Sequence, residues 1–450
     1  MNWIAFAVLY FPLAAAIFAA FVNRRLVARS QPRRKRIFPA VLLGILWALA
    51  SLVVIQRINL AANWWNFQSK SPSLAGMPLE LYLGWVILWG AVPILTFPAL
   101  DPPEVILIFG LLDLWLMWLL SPLLYLKLAW PQWLYGEAVA LALVLAPAYC
   151  LARWTLDNLH LKLRAALQAA LSGLLFLFLL PEIAFALRPV PGTTSVWQPL
   201  LTLPHPILIA ALQIIAIVAL PGLSAVQEFA QRGSGTPIPY DPPQRLVTSG
   251  IYRYCANPMQ FSCAVALFLW ALLLRNPWLV LAAAIATTYS AGIAHWDEHR
   301  DLTARFGSAW QNYRAAVPAW RLRWHPFVSA QPARLYISAT CGQCSLLRQW
   351  IEAQHPLGLN IIDAETLPQG SIRRLCYDPA DGTPPEEGLL AFARILEHIN
   401  LFWAWCAMIL RLPILHQIIQ VALDLSGFGP RTIPSTCPRK SSSSKAWREI

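Results

Sequence analysis

Charged side chains are scarce in this chain of 450 residues: only 12% are Asp, Glu, Lys or Arg, against 58% hydrophobic. A soluble globular chain carries about a quarter. The deficit argues against an ordinary soluble protein and points to a bilayer as solvent; the mean hydropathy of +0.52 agrees. Cysteine is sparse too. The eight residues are scattered apart from Cys341 and Cys344, which excludes a secreted disulfide framework. The first apolar run, from Trp3, lacks a basic segment before it and a small-residue cleavage site after it. It reads as a retained span rather than a signal peptide. No basic groove interleaved with aromatics accompanies the net charge of +12, so nucleic acid is not an expected partner.

What the chain has in abundance is apolar runs near the length that crosses ~30 Å of hydrocarbon. Nine are expected as spans: 3–22, 37–55, 79–97, 104–126, 134–152, 165–186, 205–226, 259–274 and 278–294, the last two short enough to form a tight hairpin. The 22 tryptophans suit the membrane–water interface. Asp113, Glu137 and Glu182 are the main acids within these runs and are expected to pair inside the bundle or sit near its ends. The basic run Arg24–Arg36 reads as a topology signal. With that loop cytoplasmic, Arg153, Lys162, Arg164, Arg232, Arg245 and Arg253 share its side, leaving Arg57, Lys70, Lys127, Arg188 and Arg275 opposite. The 227–258 loop and everything after residue 295 then face the cytoplasm.

The expected fold is an all-α multi-pass bundle with a small C-terminal α/β domain. It divides into an N-terminal helical region (1–226), a core with a surface helix (227–325), an α/β domain (333–433) and a disordered tail (434–450). Leu302, Phe306, Trp310, Tyr313 and Val317 form a helical stripe, interrupted at Gly307 and suited to a membrane surface. Residues 334–338, 359–363 and 373–378 read as strands, 345–354 as a helix, and Gly388 to Leu412 as one long apolar helical region.

The densest pattern runs from Leu246 to Pro318. It reads LVTSGIYRYCANPMQF, then an apolar hairpin broken by Arg275-Asn276-Pro277, then HWDEHRDLTARFGSAWQNYRAAVP. This resembles the isoprenylcysteine carboxyl methyltransferase and phospholipid methyltransferase superfamily. Its members share a Gly-x-Tyr-Arg segment leading to Asn-Pro or His-Pro, a mid-hairpin Asn-Pro, a Glu-Glu pair, Phe-Gly-x-x-Tyr-x-x-Tyr and a closing Val-Pro. The resemblance implies S-adenosyl-L-methionine as cofactor, held by Tyr252, Arg253, Asn257, Pro258, Asn276, Glu298 and His299. It implies a membrane lipid or a lipid-modified carboxylate as methyl acceptor, and assigns no catalytic side chain. It also suggests a bacterial plasma membrane with the active site cytoplasmic. Gln260 stands where Tyr is usual, Ser262 where Gly is usual, His299 in place of the second Glu, and Trp310 in place of the first Tyr. Without that pattern, Tyr252 and Arg253 would read as interface anchors. His295 and His299, four apart with Glu298 beside them, would read as a metal pair lacking a third ligand.

Cys341-Gly-Gln-Cys344 follows an expected strand and opens an expected helix, where a thiolate is favoured. The region is similar to the DCC family of thioredoxin-like proteins, extending through Gly388-x-x-Ala391, Leu412-Pro413 and Arg431, with Ser338-Ala339 in place of the usual Asp-Gly. That likeness implies a thiol-redox partner for Cys341 and Cys344, or a degenerate domain used for docking. Two other functions remain open at this point. One is a membrane NADPH-dependent reductase of similar helical layout, although no complete Gly-x-Gly-x-x-Gly is present. The other is a non-enzymatic membrane scaffold or transporter, the latter disfavoured by the lack of an internal repeat.

Overall fold

A segment built from Leu, Ile, Val and Ala satisfies its backbone in hydrocarbon by coiling into an α-helix. Helices dominate the computed structural model, which describes residues 3–26, 31–68, 71–121, 126–236, 243–368 and 372–430. Among them, five helices are long and apolar enough to cross a bilayer: Arg36–Ala62, Leu79–Thr96, Trp133–Leu156, Leu161–Leu187 and His205–Gln231. The supported count is therefore five, or six if the bent pair Leu401–Leu410 and Pro413–Gly427 is one span, rather than nine. Helices do occupy the other four expected stretches, at Trp3–Leu26, Pro102–Leu120, Pro258–Leu273 and Pro277–Tyr289. The run expected to span 104–126 stops at Leu120, and Leu126–Leu128 instead pairs antiparallel with Trp65–Phe67.

The described chain forms two compact units. One comprises Met1–Ile215, Phe229–Arg245 and Ala264–Ala291. Two of its helices meet backbone to backbone: a Cβ on Gly44 would stand 2.4 Å from the Gly90 carbonyl oxygen. Small residues allow this approach where lipid supplies no hydrophobic drive between helices. Two of its long helices carry π-helical turns, Leu141–Leu145 and Leu175–Leu179. In each turn a carbonyl accepts from a tryptophan on another helix: Trp47 Nε1 to Leu143 at 2.9 Å and Trp270 Nε1 to Leu177 at 2.8 Å. Of the acids, Glu182 is partnered as expected, whereas both Asp113 oxygens and Glu137 Oε1 are buried without a hydrogen-bond partner among the described residues. Glu182 takes Arg57 at 3.0 Å and the Trp197 indole at 2.8 Å, while the buried Asp113 and Glu137 interact with each other.

The second unit comprises Ala216–Glu228, Leu246–Cys263 and Gly292–Ile450. Its mixed sheet has the order Leu359–Asp363, Ala333–Ile337, Cys376–Asp378, Glu386–Glu387. The first pair is parallel and the next two antiparallel. The two parallel strands lie within a residue of their expected bounds, and the helix between them begins at Gly342. The long helix expected from Gly388 is broken: Leu389–Leu396 ends, and Asn400 caps a new helix, Leu401–Leu410, accepting from Trp403 N. The expected tail, 434–450, lies outside the described residues.

The amphipathic stripe after residue 295 is helical, with Gly307 (φ 52°) breaking the regular dihedrals. Its apolar face does not lie on a membrane surface. Leu302, Trp310, Tyr313 and Val317 are buried against Ala256, Leu246 and Phe327. The same periodicity serves either purpose, and here the neighbour is protein.

Candidate functional site

Every residue from Gly250 to Pro258 is buried, although only the short turn Gly250–Arg253 is regular. A buried irregular segment must send its backbone hydrogen bonds elsewhere. Here they go to the stretch after the stripe: Ala256 N donates to Pro318, and the carbonyls of Tyr254 and Arg253 accept from Arg323 N and Phe327 N. The Tyr313 hydroxyl donates to the Tyr252 carbonyl at 2.8 Å, and the Cys255 thiol to Ala319 at 3.1 Å. The Gly-x-Tyr-Arg segment and the closing Tyr and Val-Pro are thus one clasp, which explains why separated motifs occur together.

Gly250 adopts φ +59°, and a Cβ there would lie 2.7 Å from the Glu228 Cγ. Glu228, fully buried in the last turn of His205–Gln231, accepts from the Ser249 hydroxyl at 2.7 Å. Two arginines of the C-terminal region hold the same carboxylate: Arg394 at 2.6 Å and Arg411 at 2.5 Å. Arg394 also reaches Glu386 (2.8 Å) and Glu397 (3.1 Å), and Arg411 reaches Glu397 (2.8 Å).

Of the residues expected at the site, Glu298 acts through its charge on the Tyr252 hydroxyl, and on that of Tyr313. Burial drives the Tyr252 and Tyr313 hydroxyls well above the ordinary tyrosine range, and Glu298 adds to both shifts. Burial also raises Glu298 itself, against the lowering influence of Arg314. The Cys255 thiol is pushed up to about 11, again by burial. Asn257 is buried immediately before Pro258 opens the Pro258–Leu273 helix, and its Nδ2 has no hydrogen-bond partner among the described residues.

Three expected residues have other tasks. Arg253 turns toward the C-terminal region: it donates to the Phe327 carbonyl at 3.0 Å and lies 3.2 Å from His398 Nε2. That nitrogen also receives the Tyr377 hydroxyl, while His398 Nδ1 faces the Leu357 carbonyl at 2.7 Å. The network assigns His398 the neutral Nδ1–H tautomer. Asn276 belongs to the first unit, where its side chain caps Pro277–Tyr289 by accepting from Trp278 N and Leu279 N. His299 is exposed, and its Nδ1 accepts from the Trp310 indole at 3.2 Å. No cluster of three metal-ligating side chains is present among the described residues.

Cys341 is the N-cap of Gly342–Ala353, and Cys341 and Cys344 are both half-buried. The approach to them is tied down by Glu365, which sequence reasoning missed. Its carboxylate accepts from the Ser338 hydroxyl (2.7 Å), Ala339 N (3.0 Å) and Thr340 N (3.1 Å). Burial opposes ionisation, but these donors outweigh it and pull the carboxyl from 4.5 to about 2. A depressed carboxylate contributes stability that is complete above its unfolded pKa and lost as pH falls through the folded one. Glu365→Gln should therefore destabilise the fold by on the order of 2–3 kcal/mol at neutral pH, with the difference from wild type vanishing between about pH 4.5 and pH 2. Thermal melts across that range check it, and a difference independent of pH would refute the assignment.

Glu228, Arg394 and Arg411 were also missed. A signal existed: Arg394 sits alone in the apolar run LLAFARIL, and a charge buried with a helix face must be paired.

Residues 207–308 match the phospholipid methyltransferase family. No curated protein and no solved structure matches the chain. The match takes in Glu228, the Gly250 turn, Asn257, Asn276 and Glu298, and stops short of the C-terminal sheet. The chain thus carries the domain of an S-adenosylmethionine-dependent membrane methyltransferase, which favours that reading over the reductase and scaffold ones.

Proposed function

We propose that this S-adenosylmethionine-dependent methyltransferase holds its cofactor between Asn257 and Glu298 and methylates an acceptor carried in the bilayer, a phospholipid or a lipid-modified carboxylate. The observation that carries the reading is the orphaned Nδ2 of Asn257, a buried donor with unused capacity beside the free N–H groups of a helix N-terminus. An anionic cofactor group satisfies both. Glu298, desolvated and within electrostatic reach of Tyr252 and Tyr313, supplies the matching negative charge for a sulfonium or a hydroxyl. The cofactor brings an electrophilic methyl group. The protein's contribution is alignment and exclusion of water, for which a buried, clasped turn is suited.

The C-terminal region is read as thioredoxin-like. Its support is the sheet order, the strand–Cys-x-x-Cys–helix placement and the resemblance to the DCC family; residues 333–433 are taken as that domain. Arg394 and Arg411 hold Glu228, which holds Ser249 and underlies Gly250. The domain is therefore a brace for the methyltransferase turn, whether or not its dithiol cycles. The positive-inside distribution supports a cytoplasmic position for both.

The test is calorimetric titration of S-adenosylhomocysteine into purified protein in nanodiscs. Glu298→Ala should weaken binding roughly ten- to a hundredfold, the loss of one charge-assisted hydrogen bond, and Asn257→Ala should weaken it up to about tenfold. Because burial raises the Glu298 pKa, wild-type affinity should fall on acidification starting above the ordinary glutamate range, and Glu298→Ala should lose that dependence. Folded wild-type protein that binds nothing in the presence of lipid would end the proposal.

A further inference from the structure

The helix Pro413–Leu423 is inside out. None of its residues is buried. Ile414, Ile418, Val421 and Leu425 are 74%, 61%, 58% and 84% exposed. Their spacing puts them on one outward stripe. Gln420 and Asp424 point the other way, while Gln417 is exposed at the edge of the stripe. Gln420 accepts from Leu389 N and donates to Asp424, which pairs with Arg374 at 2.6 Å. A helix at the surface of a soluble domain does the reverse, because water favours its polar face.

Two further observations identify what covers the stripe. The helix is bent by 86° from Leu401–Leu410, and the two together are apolar enough for a span. Yet neither arm crosses: 10 and 15 residues make roughly 15 and 22 Å of helix, short of ~30 Å of hydrocarbon. The first arm is committed to protein, with Ala404, Ala407 and Met408 buried. At the corner, Arg411 bonds Glu228 in the last turn of His205–Gln231, a helix apolar enough to span. The corner thus sits where a membrane helix leaves the bilayer, and the second arm departs from that level.

We infer that Pro413–Leu423 and the turn after it lie in the membrane interface, with Ile414, Ile418, Val421 and Leu425 among the acyl chains. The partner is the lipid surface itself. The helix holds the C-terminal region flat against the bilayer independently of any methyl transfer, so the inference stands or falls apart from the cofactor reading.

The experiment uses the unmodified full chain in nanodiscs containing phosphatidylcholine with a diazirine near the head of one acyl chain. After irradiation, labelled peptides are mapped by mass spectrometry. Residues 413–427 should be labelled about tenfold above the Gly342–Ala353 helix, whose exposed Leu346 (68%) is an isolated apolar residue rather than a stripe. Labelling of Leu161–Leu187 serves as the internal reference. Paired Ile414→Glu and Ile418→Glu substitutions should abolish labelling of 413–427 and spare the reference helix. Wild-type protein in which the reference is labelled and 413–427 is not would overturn the inference.

Discussion

Arg394→Met is expected to destabilise the protein by about 3–5 kcal/mol, the usual result of removing one partner from a buried ion network. Arg394 has no exposed surface and supplies bonds to Glu228, Glu386 and Glu397. Its removal takes a cation from three carboxylates, of which Arg411 still touches Glu228 and Glu397. Methionine fills the volume but cannot replace the charge. The unfolding temperature, followed by intrinsic fluorescence in detergent, should fall by roughly 6–20 °C. Arg394→Lys should recover only part of the loss, because an ammonium cannot fork to several carboxylates. A methionine variant melting within a couple of degrees of wild type would mean that the carboxylates are protonated and the network is not ionic.

The second large effect is expected at Gly44. The side chain of any other residue would enter the backbone of the facing helix, 2.4 Å from the Gly90 oxygen, and a Cβ on Gly90 would meet Gly44 and Ile45 at 2.8 Å. Gly44→Ala should already cost about 1–3 kcal/mol by overpacking, and Gly44→Val more. In hydrocarbon the separated helices regain nothing from solvent, so the loss of close packing is not offset. Gly173, also in a long apolar helix, has nothing within 4 Å of where its Cβ would be. Gly173→Ala should be neutral or mildly stabilising, since alanine is the better helix former. The check is the fraction of each variant recovered as monodisperse protein, and its melting temperature. If Gly44→Ala behaves like Gly173→Ala, the close crossing is not a determinant of assembly.

The parts of this fold that were legible in the sequence are those governed by local rules. The strands at Ala333–Ile337 and Leu359–Asp363, the helix opening at the dithiol and the apolar helices follow from period and composition. Asn276-Pro277 begins a helix as an N-cap and first residue should. What was not legible depends on partners far along the chain. Glu228 and Arg394 are 166 positions apart, and no local pattern links them. Arg253 sits in the motif as expected, yet its guanidinium serves His398, 145 positions away. The stripe from Leu302 to Val317 was visible as a stripe, but periodicity specifies that a face is covered and not by what. The apolar region after Gly388 was ambiguous for the same reason, since a core helix and a lipid-facing helix draw on the same residues.

The tryptophans at the two π-helical turns change the meaning of their abundance. Each turn widens a helix by a residue and weakens its own ladder, which in lipid leaves a carbonyl seeking a donor. Trp47 and Trp270 reach across to Leu143 and Leu177 with the only hydrogen that an indole can offer. In these two places the ring is a latch between helices, not an anchor at the water's edge. A phenylalanine would fill the same space and leave the carbonyl unmet, so at such positions the bundle distinguishes two aromatics that a hydropathy scale treats as near equivalents.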